Sequence, residues 1–213
     1  MRETHTYTRN EEIAHAITHG IGVILSIVGL VLLIIYSSLN GNPWQITSVT
    51  IFGITMLLMY LTSTIVHSLP AGKWKNIFQI FDHSSIFLFI AGTYTPFLLV
   101  HLRGPVGWTL FGVVWGIALI GIIFKVFFAK KFLFLSTLFY ILMGWLIVIV
   151  WAPLTAIMDG NGIKLLVLGG IFYTLGTIFY VWRSFPYHHA VWHLFVLAGS
   201  AFHFFSVFYY VII

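Results

Sequence analysis

Four stretches of this chain carry no Asp, Glu, Lys or Arg at all: Ile13 to Gly72, Gly104 to Phe124, Phe132 to Met158 and Ser184 to Ile213. A water-soluble domain covers itself with about 25% charged residues. Here 7% of 213 residues are charged and 60% are hydrophobic. Such a chain cannot build a polar coat, and it reads as a polytopic membrane protein. One crossing takes about 20 apolar residues, so the chain has room for seven or eight spans and no sizeable soluble domain. Breaking the apolar runs at Gly41-Asn42-Pro43, Pro70-Ala71-Gly72 and Asp159-Gly160-Asn161-Gly162 predicts seven spans in one domain. They are Ile17–Tyr36, Trp44–His67, Ile77–Val100, Val106–Phe127, Phe132–Trp151, Ile163–Trp182 and Pro186–Ile213. Strand-like alternation is absent, which argues against a β-barrel. The expected fold class is therefore all-α integral membrane, a seven-transmembrane helix bundle.

The basic residues set its expected orientation. With the N-terminus in the cytoplasm, the inner segments hold Arg2, Arg9, Lys73, Lys75, Lys125, Lys130, Lys131 and Arg183, and the outer loops hold only Arg103 and Lys164. Positive residues favour the cytoplasmic side, so the C-terminus is expected outside, in a multi-pass protein of the cell (plasma) membrane. The polar opening to Glu12 and the long first apolar run do not suit a cleaved signal peptide. Tyr36, Trp44, Trp74, Trp108, Trp151 and Trp182 stand near span ends, where aromatic anchors sit. The same scattered cations form no basic face, so a nucleic-acid partner is not expected despite the net charge of +5. Absence of cysteine excludes disulfides, iron–sulfur clusters and thiolate chemistry.

Ionisable groups inside a span are costly and point to function. His67, Asp82, His189 and His193 are spread over more than half the chain, yet the alternating topology places all four at similar depth near the cytoplasmic face. His189 and His193 are four apart and share a helix face. With His67 they offer three imidazoles and leave one position for water, the open arrangement of catalytic zinc. Zinc lowers the pKa of such a water to about 7. Asp82 suits a general base or orienting group, and Ser63, one turn before His67, suits an oxyanion donor or a supporting hydroxyl. Taken singly, these residues also have plainer readings. An HxxxH pair alone is a weak motif, and Asp82 can simply pair with a lysine. His15 and His19 form a second pair beside Glu12 that can make a second site or supply an alternative ligand, although an amphipathic lead-in helix at the interface is the preferred reading. His188 is expected to face away, and His203, about 15 Å further along the last helix, to be a hydrogen-bonded interior histidine. Pro96 should interrupt its helix, with Gly92 permitting close packing.

The segments Ser63-Thr64-Ile65-Val66-His67, Phe81-Asp82-His83-Ser84, Ala91-Gly92-Thr93-Tyr94-Thr95-Pro96 and His189-Ala190-Val191-Trp192-His193 resemble the hemolysin III family. That family is the bacterial branch of the progestin and adipoQ receptor family and is related to the alkaline ceramidases. Glu12 to Gly20 resembles its N-terminal motif, although His15 stands where asparagine is more usual. The resemblance implies seven helices with an intracellular N-terminus, and zinc on His67, His189 and His193 with Asp82 toward its water. By analogy with the ceramidase-like relatives, it also implies hydrolysis of lipid amides.

Three functions follow in order of preference. The first is a zinc-dependent hydrolase of a lipid amide or ester bond, with a membrane lipid as substrate or ligand. The second is a non-enzymatic sensor or regulator of membrane state braced by a structural zinc. The third is a pore-forming or membrane-damaging protein, which needs a continuous polar path that the apolar outer halves of the helices do not supply.

Overall fold

The computed structural model describes residues 7–128 and 131–213. Arg2 and Lys130, two of the cations behind the expected orientation, lie outside the described residues. Among the described residues, seven helices are long and apolar enough to cross a membrane: α1 (Arg9–Asn40), α2 (Pro43–Ser68), α3 (Lys73–His101), α4 (Pro105–Phe128), α5 (Leu133–Ile157), α6 (Gly160–Val181) and α7 (His188–Ile212). No strand occurs among the described residues. Consecutive helices α1 to α4 pack in sequence, as do α6 and α7, and α7 closes back on α1. Short connections make neighbours antiparallel, so the starts of α1, α3 and α7 and the end of α2 meet at one end of the bundle.

α1 begins at Arg9, a full two turns before the apolar run at Ile17, because a capping box starts it. The Thr8 hydroxyl accepts from the Glu11 backbone N–H at 3.3 Å, and the Glu11 carboxylate accepts from the Thr8 N–H at 2.8 Å. The buried face of this helix is its polar and small one: Glu11, His15, His19, Gly22, Ser26, Gly29, Leu33 and Ser37. Ile17, Ile24, Val28 and Leu39 face outward. In a bilayer apolar surface has nothing to escape from, so small residues that let helices approach decide which face packs inward. A Cβ at Gly22 would overlap the Tyr60 ring of α2. His15 and His19 are 0% and 1% exposed. The lead-in helix expected at the interface is instead part of the bundle core, a correction that follows from the cap and from this inverted pattern.

α3 is the most enclosed of the seven and the least apolar, since its polar groups find partners inside. A Cβ at Gly92 would overlap Thr55 Oγ1 of α2, so only glycine lets α2 and α3 meet there. Pro96 ends the regular helix and a π turn, Phe97–His101, follows. α5 is interrupted by a 3-10 stretch, Trp145–Val150. Tyr94 of α3 repairs the break: its hydroxyl donates to the carbonyls of Met143 and Gly144 at 2.9 and 2.7 Å and accepts from the Ile147 N–H at 2.9 Å. Irregular backbone at membrane depth survives only where it is buried in protein or lines a cavity. The second condition holds here, since Gly144, Trp145 and Ile147 line a cavity of about 150 Å³.

Candidate metal centre

Five histidines from three helices converge at the end of the bundle where α1, α3 and α7 begin. His15, His67 and His189 each present a ring nitrogen, and these atoms lie within 4.8 Å of one another. Their ring centroids are 4.7, 4.8 and 5.1 Å apart. His193 adjoins them, 4.6 Å from His189 and 5.4 Å from His67. His19 lies flat on His193 at 3.4 Å. The structure thus brings His67, His189 and His193 together, and adds His15 and His19 to them.

Local contacts hold this arrangement in register. The Glu11 carboxylate accepts the Tyr187 backbone N–H at 3.1 Å, tying the start of α1 to the start of α7. Tyr187 itself has a left-handed backbone, φ 60°, which is rare for a residue with a Cβ and is the kind of strain found beside sites. Glu12 accepts from His67 Nδ1 at 2.7 Å and from Lys75 Nζ at 2.8 Å. Lys75 also donates to the carbonyls of Val66 and Leu69, closing the end of α2. A carboxylate on Nδ1–H fixes the tautomer of His67 and leaves Nε2 bare, the pattern of metal-ligating histidines. His193 is set the same way. The Thr18 hydroxyl spends its proton on the carbonyls of Ala14 and His15, so it accepts from His193 Nδ1–H at 3.0 Å. His193 Nε2 is buried with no hydrogen-bond partner among the described residues.

Tyr7 covers the cluster from the end of the bundle, its ring 4.7 Å from His15 and 5.2 Å from His189. Burial pushes its phenol up to about 12, so it stays a neutral lid.

Asp82, ten residues into α3, is buried and lines the cavity together with His19. Ser63 is the hydroxyl beside its carboxylate, placed to orient Asp82. Lys125, counted by sequence among the inner cations, is 0% exposed on α4 and faces Asp82 electrostatically, with its ammonium 5.9 Å from the centre of the Tyr140 ring. Asp82 does have a lysine nearby, and it has the histidine cluster as well. His188 turns away, with Nδ1–H donating to the Phe179 carbonyl at 2.9 Å. His203 donates from Nε2 to the Leu166 carbonyl at 2.9 Å and touches the far part of the cavity.

Thr18 and Lys125 stand at the cluster although the sequence reading gives them no role there, and Glu12, noted by sequence only beside His15 and His19, contacts His67. Glu12 and Thr18 each lie three residues from His15, on its helix face, and Lys125 is a charge within an apolar run. Those signals are present in the sequence but have several explanations until the helices are assembled.

The haemolysin-III-related family profile matches residues 7–204, nearly the whole of this chain. The chain belongs to the hemolysin III family. Among its hemolysin III relatives is a protein described as a hemolysin-3 homolog of Bacillus subtilis (strain 168), 57% identical over 204 residues and covering 96% of each chain. Hemolysin-3 of Bacillus cereus is 54% identical over 202 residues, 95% of this chain and 92% of that one. A more distant relative of the hemolysin III chain is the human monocyte to macrophage differentiation factor, 28% identical over 209 residues, 94% of this chain and 84% of the other.

Proposed function

We propose that the histidine cluster holds one zinc ion through His67, His189 and His193, and that the protein hydrolyses an amide or ester bond of a membrane lipid. The observation that carries this reading is a buried carboxylate, Asp82, that lies within electrostatic reach of His67 and also lines an apolar cavity. Asp82 and His19 stand at one part of that cavity, and the rest is lined mainly by Met59, Ile86, Phe89, Ile90 and other apolar or aromatic side chains. Such a lining suits an acyl chain and not a passing ion.

The donor set fits the metal. Neutral imidazoles are standard zinc ligands, and the Nδ1 atoms of His67 and His193 are taken up by Glu12 and Thr18, which leaves their Nε2 atoms for an ion. When bound, zinc supplies a water of pKa about 7 and polarises a carbonyl. Asp82 then takes the proton of the attacking water and returns it to the leaving nitrogen or oxygen, so that the acyl group gains OH and the leaving group gains H. Ser63 keeps Asp82 aimed, and Lys125 compensates its charge inside the bilayer. The lysine and arginine asymmetry supports a cytoplasmic N-terminus and hence a cluster near the cytoplasmic face of the cell membrane.

The test is turnover of N-acyl amides and acyl esters by detergent-solubilised, zinc-loaded protein, with released fatty acid read by mass spectrometry. Release that stops on chelation and returns with zinc is expected. Zinc-loaded protein that leaves both lipid classes intact overturns the hydrolase. A quieter substitution probes the carboxylate behind His67. Glu12→Gln keeps the shape and removes the charge, and zinc affinity measured by chelator competition should fall about 10–100-fold. An unchanged affinity would detach Glu12 from the site.

A further inference from the structure

We infer that His15 is a fourth imidazole ligand of the same metal, so that the resting shell contains four histidines and no permanently open position. The inference rests on the metal-binding reading above and concerns what else reaches the ion. His15 is fully buried, and neither ring nitrogen has a hydrogen-bond partner among the described residues. A neutral imidazole has one donor and one acceptor to satisfy, and buried polar groups are seldom left without partners.

Geometry separates His15 from its neighbour His19. The His15 ring stands steeply to those of His67, His189 and His193, at 69°, 67° and 63°, with centroids 4.7, 4.8 and 5.6 Å away. His19 instead lies parallel to His193, 14° between planes, so it packs on the face of a ligand. The ring nitrogens of His15, His67 and His189 form the tightest donor group, within 4.8 Å. A tetrahedron with bonds of about 2.0–2.1 Å needs donor separations of about 3.4 Å, a modest contraction for side chains already facing one another. The bonds from Glu11 to Tyr187 and from His67 to Glu12 hold α1 at the height this requires.

A four-imidazole shell changes how water reaches the site. It enters as a fifth neighbour, or in the place His15 leaves when its side chain turns away. His15 is then the residue that sets the resting accessibility of the centre.

Zinc-edge X-ray absorption on the zinc-loaded full chain, wild type and His15→Asn, tests this. The wild type should fit four imidazole nitrogens. The variant should fit three with one oxygen while still holding zinc. A wild-type shell of three imidazoles and one oxygen would overturn the role of His15 and leave the metal site standing. A wild type that takes up no zinc would overturn the metal reading itself. If His15→Asn fails to fold, the wild-type count decides alone.

Discussion

Purified without chelator, the wild-type chain is expected to carry about one zinc per polypeptide, and the His189→Ala/His193→Ala variant to carry only background metal. Both residues leave from one face of α7, whereas His188 points its Nδ1 at the Phe179 carbonyl and His203, ten residues beyond His193, stands about 15 Å further along the helix. His15, His19 and His67 would remain, but His19 packs on the face of His193 rather than into the donor group formed by His15, His67 and His189, so no complete shell is left. Because structural metal binding contributes to folding, the variant should also melt at a lower temperature in detergent. Adding excess zinc should raise the wild-type midpoint and leave the variant unmoved. A folded variant that keeps its full zinc would place the ion elsewhere, and the hydrolase reading would lose its centre.

Asp82→Asn is expected to lower turnover of a hydrolysed lipid by about 10²- to 10⁴-fold, the range for removing a general base. Zinc content should not change. Asparagine preserves the volume and still accepts from Ser63, so the packing of α3 against α2 is kept while the ability to take a proton is lost. The ammonium of Lys125 would then lack its counter-charge inside the bilayer, and some loss of thermal stability should accompany the kinetic loss. The two effects separate in the double variant Asp82→Asn/Lys125→Met, which should recover stability without recovering turnover. Full turnover by Asp82→Asn with zinc in place would remove Asp82 from the reaction. Recovery of turnover in the double variant would show that the charge pair, and not proton transfer, was at stake.

Several features are legible in the amino-acid order alone. The charge-free stretches specify membrane helices because no alternative satisfies the backbone in lipid, and their number follows from length. The coincidence of His67, Asp82 and His189 at one end follows from counting antiparallel crossings, since each residue sits within a few turns of a span end on the same side. Ser63 to His67 and His189 to His193 each share a face because of the helical period, and that needs no tertiary information.

What tertiary structure decided is which way each helix turns. In water a helix buries its apolar face, and the periodicity of the sequence reveals it; in lipid both faces are apolar and rotation is set by close contacts. By sequence, His15 and His19 therefore read as interfacial residues on a lead-in helix. The overlap that glycine avoids at Gly22 against Tyr60, and the bonds from Glu11 to Tyr187 and from Glu12 to His67, turn them inward to the other imidazoles. Lys125 changes from a cation of an inner segment to a buried charge within electrostatic reach of Asp82 for the same reason, and Tyr94 becomes the support of a broken α5 that shapes the cavity. The sequence alone determined the crossings and the depth of the polar residues, because both depend only on hydrophobic length. Helix rotation and the assembly of five histidines into one cluster depend on contacts between distant segments, and only the folded bundle supplies them.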